Sequence, residues 1–317
     1  MRQFACAAAL LVFLPSAGAA QETTIAPPPS ITVEGIPPIP QSIADGLARY
    51  AQFRQAYLQA WHPTRRQMVI GTALGAVPQL HLVAGPSRDR RQLTWYPRGV
   101  HITNAAASFD PADGNSFVFM YEAAGNELKS VYRYDLTTGE ASLVSESKTR
   151  YGPVWARQGT WIAFDSAERN GKDRDLYVMQ PSDPKTKRRL ADFDGPYAPQ
   201  DWSPDGHTLL ANEVVSNQET YFWRVDVKTG AKTALTPRGG EKAAFFNGRF
   251  SADGKKVYAL SDRSDGDWRI WQCELANWSW TAVTGEGIIV NGANDSPQGG
   301  FEISPDGTLL AVIVDRG

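Results

Sequence analysis

Apolar runs of three to five residues recur along the chain, and turn-forming residues interrupt them every few positions. They are Met68-Val69-Ile70, Phe117-Val118-Phe119-Met120, Trp161-Ile162-Ala163-Phe164, Thr208-Leu209-Leu210-Ala211, Val257-Tyr258-Ala259-Leu260 and Leu309-Leu310-Ala311-Val312-Ile313. Runs this short, rich in β-branched and aromatic residues and bounded by Gly, Pro, Asp and Ser, predict strands and exclude a helical solenoid. A third strand returns after most of them: Val131-Tyr132-Arg133-Tyr134, Leu176-Tyr177-Val178-Met179, Tyr221-Phe222-Trp223-Arg224-Val225 and Arg269-Ile270-Trp271-Gln272. A fourth, shorter strand follows a second hairpin signal, as in Ala141-Ser142-Leu143-Val144 after Gly139 and Lys232-Thr233-Ala234-Leu235-Thr236 after Gly230.

One signature precedes the second strand of every unit: an aromatic or apolar residue, then Ser-Pro-Asp-Gly or a decayed form. Its copies are Trp61-His62-Pro63-Thr64-Arg65, Phe109 to Gly114, Trp155 to Gly159, Trp202-Ser203-Pro204-Asp205-Gly206, Phe250-Ser251-Ala252-Asp253-Gly254 and Ile303-Ser304-Pro305-Asp306-Gly307. The glycines at 114, 159, 206, 254 and 307 are spaced by 45, 47, 48 and 53 residues. The chemistry is that of a tight hairpin: Pro presets φ, Asp bonds neighbouring backbone, and Gly takes the left-handed conformation. Four strands per unit at this period is the pattern of a β-propeller blade, so the chain is read as all-β with about six recognisable blades. The aromatic residues suit packing between blade faces. The sixth unit shows an inner strand, a turn and a second strand before Asp315-Arg316-Gly317. Two openings follow: the propeller is cut short there, or the N-terminal segment supplies the missing strands. The first is favoured, because the stretch before Trp61 holds too little strand pattern, and a bare edge invites aggregation.

Upstream of the repeats the pattern changes. Arg2, the apolar stretch Phe4 to Leu14 and the small residues of Pro15-Ser16-Ala17-Gly18-Ala19-Ala20 read as a signal peptide at 1–20, cleaved near Ala20, so a periplasmic or secreted chain is expected. That stretch is too short to span a bilayer as a helix, and no other segment comes close. Residues 21–60 are a Pro-rich lead-in followed by one short helix, with Ser42 and Asp45 at its start and Ile43, Leu47 and Tyr50 at helical spacing. The propeller then occupies 61–317.

Composition adds mainly exclusions. The net charge of −2 gives no basic surface for nucleic acid. The basic runs 88–91 and 185–189 read as solvated turns. Cys6 lies in the signal peptide, so Cys273 stands alone in the mature chain as a small buried thiol, without a disulfide or a Cys-based metal site. His62, His81, His101 and His207 are scattered; His62 and His207 read as surface turn residues, and no metal site is expected from the four. The Asp-rich stretch 262–267 lacks EF-hand spacing and reads as a solvated loop. No cofactor is expected.

Several ordered pieces then carry a resemblance: Gly35-Ile36-Pro37-Pro38-Ile39-Pro40, Trp61 to Arg65, Gln79-Leu80-His81 with Gln92-Leu93-Thr94, Gly125-Asn126-Glu127, Tyr132-Arg133-Tyr134-Asp135, Arg169-Asn170-Gly171-Lys172-Asp173 and Asp201 to Gly206. In this combination the chain resembles the N-terminal propeller of bacterial secreted prolyl oligopeptidase-family serine peptidases, from about Gly35 to its last residue. The resemblance implies a propeller of about seven blades that filters peptide substrates for a C-terminal α/β-hydrolase domain. This chain contains no Gly-x-Ser-x-Gly, so no catalytic residue is assigned and the polypeptide as given is read as non-catalytic. Some relatives hold a substrate's amine with propeller carboxylates. Glu127, Glu168 and Glu219, in loops between second and third strands, are the weak candidates, although no paired-Glu motif aligns. The alternative is a stand-alone periplasmic propeller, like that of the Tol system, which binds protein partners. A propeller glycosidase would need positioned carboxylates that one sequence does not reveal.

Overall fold

The structure is a computed structural model, and it describes residues 23–51, 56–73, 77–97, 100–102, 107–123, 128–236, 238–239, 242–264, 266–290 and 300–315. The signal-peptide reading of 1–20 lies outside these residues. The chain divides into two compact units, Met1–Arg54 and Gln55–Gly317. In the first, part of the Pro-rich lead-in is a strand pair, β1 (Thr24–Ile25) with β2 (Ile39–Pro40). The helix α1 (Gln41–Ala51) follows directly, and the Gln41 side chain donates to Asp45 Oδ1 at 2.9 Å across its first turn.

The second unit is a β-propeller of antiparallel meanders. Blade one is β3 (Ala56–Trp61), β4 (Met68–Thr72), β5 (Gln79–Val83) and β6 (Arg90–Gln92). In blade two the inner edge is split: β7 (Val100–Ile102) and β8 (Ser108–Phe109) both pair with β9 (Ser116–Ala123), which β10 (Lys129–Asp135) and β11 (Glu140–Thr149) follow. Blade three is β12 (Val154–Trp155), β13 (Ile162–Ser166), β14 (Asp175–Gln180) and β15 (Asp183–Ala191). Blade four is β16 (Tyr197–Trp202), β17 (Thr208–Ser216), β18 (Glu219–Asp226) and β19 (Lys232–Ala234). Blade five is β20 (Phe245–Phe250), β21 (Lys256–Ser261), β22 (Arg269–Glu274) and β23 (Ser279–Ala282). In the sixth unit β24 (Ile289–Val290) pairs with β27 (Val314–Asp315), and β25 (Phe301–Ile303) pairs with β26 (Leu310–Val312).

Among the described residues, no blade has a core of its own. Each hydrophobic cluster lies between two consecutive blades: Val69, Leu80 and Leu82 meet Phe117 and Phe119, and Val118 and Val131 meet Phe164 and Met179. Leu176 and Val178 then meet Leu209 and Ala211, Leu210 and Phe222 meet Val257 and Ala259, and Leu260 and Ile270 meet Val290 and Phe301. The pleat explains this: successive side chains point to opposite faces, so Leu209 serves blade three and Leu210 serves blade five. A second or third strand covered on both faces reads as a continuous apolar run.

The outer strands are the converse case. The basic runs at 88–91 and 185–189 are not turns, since Arg90 and Arg91 lie in β6 and Lys185 to Arg189 in β15. Charged side chains suit the solvent edge of a sheet, where they block edge-to-edge pairing.

The repeated turn closes on itself as its residues require. In blade four, Ser203 Oγ donates to Asp205 Oδ1 at 2.6 Å, Asp205 accepts the His207 N–H at 2.9 Å, and the Thr208 N–H donates to Ser203 Oγ at 2.9 Å. Ser251 with Asp253 and Ser304 with Asp306 repeat the 2.6 Å bond. The glycine meets two demands, being left-handed (φ 72° at Gly307) and pressed by the preceding blade's turn, since a Cβ there would lie 2.8 Å from Ala252 Cβ. In blade one the pressing residue is His62, whose ring lies against Gly114 and 5.0 Å from Phe109. His62 is therefore buried, not a surface turn residue. Its Nδ1 accepts the N–H groups of Thr64 and Arg65 at 3.2 and 3.0 Å. Cys273 is fully buried, and burial pushes its thiol up to about 11.

Candidate functional site

The inner strands converge on two adjoining cavities of about 320 and 440 Å³ that share Pro111, Arg157, Asp201 and Arg249. The first reaches Phe109 and Trp155; the second reaches Phe250 and Glu302. Blades two to five and the sixth unit thus all contribute, which places the cavities at the centre of the ring.

Arg157 holds this centre together. It belongs to the decayed turn Ala156-Arg157-Gln158-Gly159, where blade four has Ser203-Pro204-Asp205-Gly206. Its guanidinium donates to Asp201 Oδ2 at 2.9 Å, to the Phe250 carbonyl at 2.7 Å and to the Ser251 carbonyl at 3.3 Å. One side chain of blade three therefore ties blades four and five. Asp201 is saturated in turn, because Oδ2 also accepts the Phe250 N–H at 2.8 Å and Oδ1 accepts the Trp202 N–H at 2.9 Å. A largely buried carboxylate that accepts from three donors is fixed in place, and it fixes the Arg157 fork in turn.

The second cation is aimed by irregular strands. The β16 register shifts between Pro199 and Asp201, and the β20 register between Phe246 and Arg249. Such bulges turn side chains out of the ladder. Gln200 accepts the Gly248 N–H at 3.2 Å, and Arg249 donates to the Gln200 carbonyl at 3.1 Å. The cavity wall thus presents two guanidiniums, two carboxylates, an amide and aromatic edges. That set suits hydrogen bonding to a polypeptide backbone and its charged side chains.

The sequence candidates lie elsewhere. Glu127 is outside the described residues. Glu168, just past β13, forms an ion pair with Lys187; Glu219, opening β18, pairs with Lys242 at 2.8 Å and accepts from Tyr221 Oη at 2.7 Å. The two sit in different blades and neither lines the central cavities. Arg169, from a run that carried the resemblance, clamps the fully buried Asp175 through Nε at 2.6 Å and also bonds the Phe193 carbonyl at 2.9 Å. Asp165, equally buried, takes Thr149 Oγ1 at 2.6 Å and Arg174 Nη1 at 2.9 Å, tying blade two to blade three. His81 is buried in β5, His207 is exposed, and the His101 side chain lies outside the described residues. Among the described residues, no three His, Cys, Asp or Glu side chains are grouped to hold a metal ion. No described helix is long and apolar enough to cross a membrane.

No protein-family model matches this chain, and no curated protein matches it. Solved structures do. TolB from Acinetobacter baumannii is similar with a TM-score of 0.53 at 20% identity, over 73% of this chain and 55% of that one. A structure from a study of two prolyl endopeptidases is similar with a TM-score of 0.59 at 13% identity, over 75% of this chain and 37% of that one. A putative TolB from Agrobacterium tumefaciens gives 0.56 at 18% identity, over 83% and 91%. The chain thus spans about half the length of the first and little more than a third of the second. These likenesses show the β-propeller fold.

Proposed function

We propose that this propeller is a non-catalytic polypeptide-recognition module that acts in the periplasm or outside the cell. In this reading it docks and sieves peptide substrates for a serine peptidase of the prolyl oligopeptidase family, whose α/β-hydrolase domain does the cutting. The observation that carries it is the convergence of Arg157, Asp201, Arg249 and Gln200 on central cavities lined by five units. Charged groups held rigidly by their neighbours need little reorganisation when a ligand arrives.

The likeness to a putative TolB over 83% of this chain and 91% of that one supports a second reading, a propeller of the Tol-system kind that binds a protein partner through the same cavity. Calorimetric titration of the chain from Gln21 with a panel of unstructured peptides tests the shared claim. Peptides should bind, and Arg249→Ala should weaken binding by about tenfold, the usual cost of losing a charged hydrogen bond. A flat titration across the panel would sink both readings. Sequencing the transcript beyond the Gly317 codon separates them: a frame running into a Gly-x-Ser-x-Gly elbow selects the peptidase, and a stop codon selects the partner binder.

A further inference from the structure

One buried ring, that of His62, closes the seam between blades one and two. Its Nδ1 accepts two backbone N–H groups of its own turn, Thr64 at 3.2 Å and Arg65 at 3.0 Å. A backbone N–H can only donate, so Nδ1 carries no proton and the neutral ring holds its hydrogen on Nε2. That Nε2 is buried and makes no hydrogen bond within the described residues. The ring faces blade two. It lies so close to Gly114 that a Cβ there has no room, and 5.0 Å from Phe109, which lines the first central cavity. Arg65, from the same turn, donates to Asn115 Oδ1 of blade two at 3.1 Å. At the later seams the side chains that meet the next turn glycine are Asp110 and Ala112 at Gly159, Gln158 at Gly206, Pro204 at Gly254 and Ala252 at Gly307. Among the described residues the first seam alone is closed by an imidazole, the side chain whose charge changes near neutral pH.

This place does not accommodate a second proton. On Nδ1 it would point at the two N–H groups that Nδ1 accepts, so the charged ring must give up both bonds. The groups that face the ring pull in opposite directions. Burial first, and then the Arg65 guanidinium of its own turn, oppose a charge; the Gly114 backbone and the Asp113 carboxylate of blade two favour one. The first two prevail and hold the imidazole below its ordinary 6.5. The stability that the neutral ring contributes is therefore whole above about pH 6.5, the value of the freed imidazole. It is lost as pH falls from there toward the folded value.

We propose that His62 is an acid-sensitive latch between blades one and two. When its ring takes up a proton it leaves the seam, and the turn Trp61 to Arg65 lifts off Gly114 and Asn115. Phe109, a wall of the first central cavity, then loses its backing. The latch rests on the fold alone and is independent of what the cavities bind.

The test is amide exchange of the chain from Gln21, followed by NMR from about pH 7.5 to about pH 5 and read as protection factors, so that the intrinsic pH dependence of exchange cancels. Protection of the Thr64 and Arg65 N–H groups should fall by up to about tenfold per pH unit below about 6.5, the slope of one proton taken up on opening. The Thr208 N–H, held by Ser203 Oγ in blade four, should keep its protection throughout. His62→Asn supplies an oxygen that can take both N–H groups but no proton, so its two amides should be protected equally at both ends of the range. That substitution leaves His81, the other buried imidazole of blade one, in place. A fall that persists in His62→Asn therefore belongs elsewhere and overturns the proposal. Two results on wild type overturn it as well, should His62→Asn fail to fold: protection of Thr64 and Arg65 that stays flat to about pH 5, or a His62 ring that titrates at 6.5 without exposing either amide.

Discussion

The turn of blade four and the turn of blade three occupy the same place in the repeat and do different work. Ser203-Pro204-Asp205-Gly206 satisfies its own polar groups, so it asks nothing of its neighbours beyond contact. Ala156-Arg157-Gln158-Gly159 keeps the backbone bend, with the Gly159 N–H on the Ala156 carbonyl at 2.8 Å, but has neither Ser nor Asp to close the knot. Its polar groups reach outward instead: Gln158 bonds the Pro204 carbonyl, and Arg157 reaches Asp201 and Phe250. Where the repeat is kept, the turn serves the fold of one blade; where it decays, the freed position joins three blades and lines the cavity.

Breaking the outward-reaching turn should have the largest effect. Asp201→Ala removes the acceptor for Arg157 and for the N–H groups of Trp202 and Phe250 in one step. Asp201 is buried while the Arg157 side chain is 34% exposed, so the main cost is the two backbone N–H groups left without an acceptor, and urea unfolding should show a loss of about 2–3 kcal/mol. A loss below about 1 kcal/mol, the worth of a surface pair, would make the three-blade tie incidental.

The glycines sharpen the comparison at the next level. Gly159 and Gly206 share a left-handed backbone, φ 76° and 73°, so alanine costs about 1–2 kcal/mol at either. A Cβ on Gly159 would also strike Asp110 Oδ1 and lie 2.7 Å from Ala112 Cβ, whereas one on Gly206 meets only the Gln158 amide oxygen at 3.4 Å. Gly159→Ala should therefore be worse than Gly206→Ala by about 1–2 kcal/mol, the usual cost of overpacking. Equal losses in thermal unfolding would show that the preceding blade yields.

Much of this was legible in the sequence, for a local reason. The turn glycines, the second and third strands and the four-strand unit all rest on residues close together in the chain. Arg157 was not legible as a site, because its partners lie 44 and 93 residues away. The signal was present nonetheless: in the aligned turns an arginine stands where blade four has Pro204. Glu168 and Glu219 attracted notice as acids in loops, yet each already has a lysine. The basic runs misled because strand alternation is invisible where an outer strand is charged on both faces. His62 misled because the glycine that makes room for it lies one blade away.

A smaller effect separates the closed turns from the open one. Ser203→Ala deletes a donor to Asp205 and an acceptor for the Thr208 N–H, and should cost about 1 kcal/mol. The reciprocal change Ala156→Ser should stay within about 0.5 kcal/mol, since Gln158 offers no carboxylate to complete the knot. A matching gain in blade three would mean that Ser alone, without Asp, stabilises the turn.

The smallest effect is a titration. The Ser hydroxyl first, and then the backbone N–H two residues on, hold Asp205 and Asp253 below the usual 3.8, and the same pair with Thr308 brings Asp306 to about 2. A carboxyl whose folded pKa is depressed stabilises fully above its unfolded value, and that contribution is lost as pH falls through the folded one. The closed turns should thus hold down to about pH 4 and loosen in sequence below it, Asp306 last, while the blade-three turn, with Gln158, does not respond. Carboxyl ¹³C NMR reads this directly. Ser304→Ala should raise the Asp306 midpoint toward 3.8 and leave Asp205 and Asp253 unmoved, because each knot is closed within its own blade. A wild-type Asp306 that titrates at 3.8 would mean the knot is not formed in solution, and the contrast between the two kinds of turn would then rest on Arg157 alone.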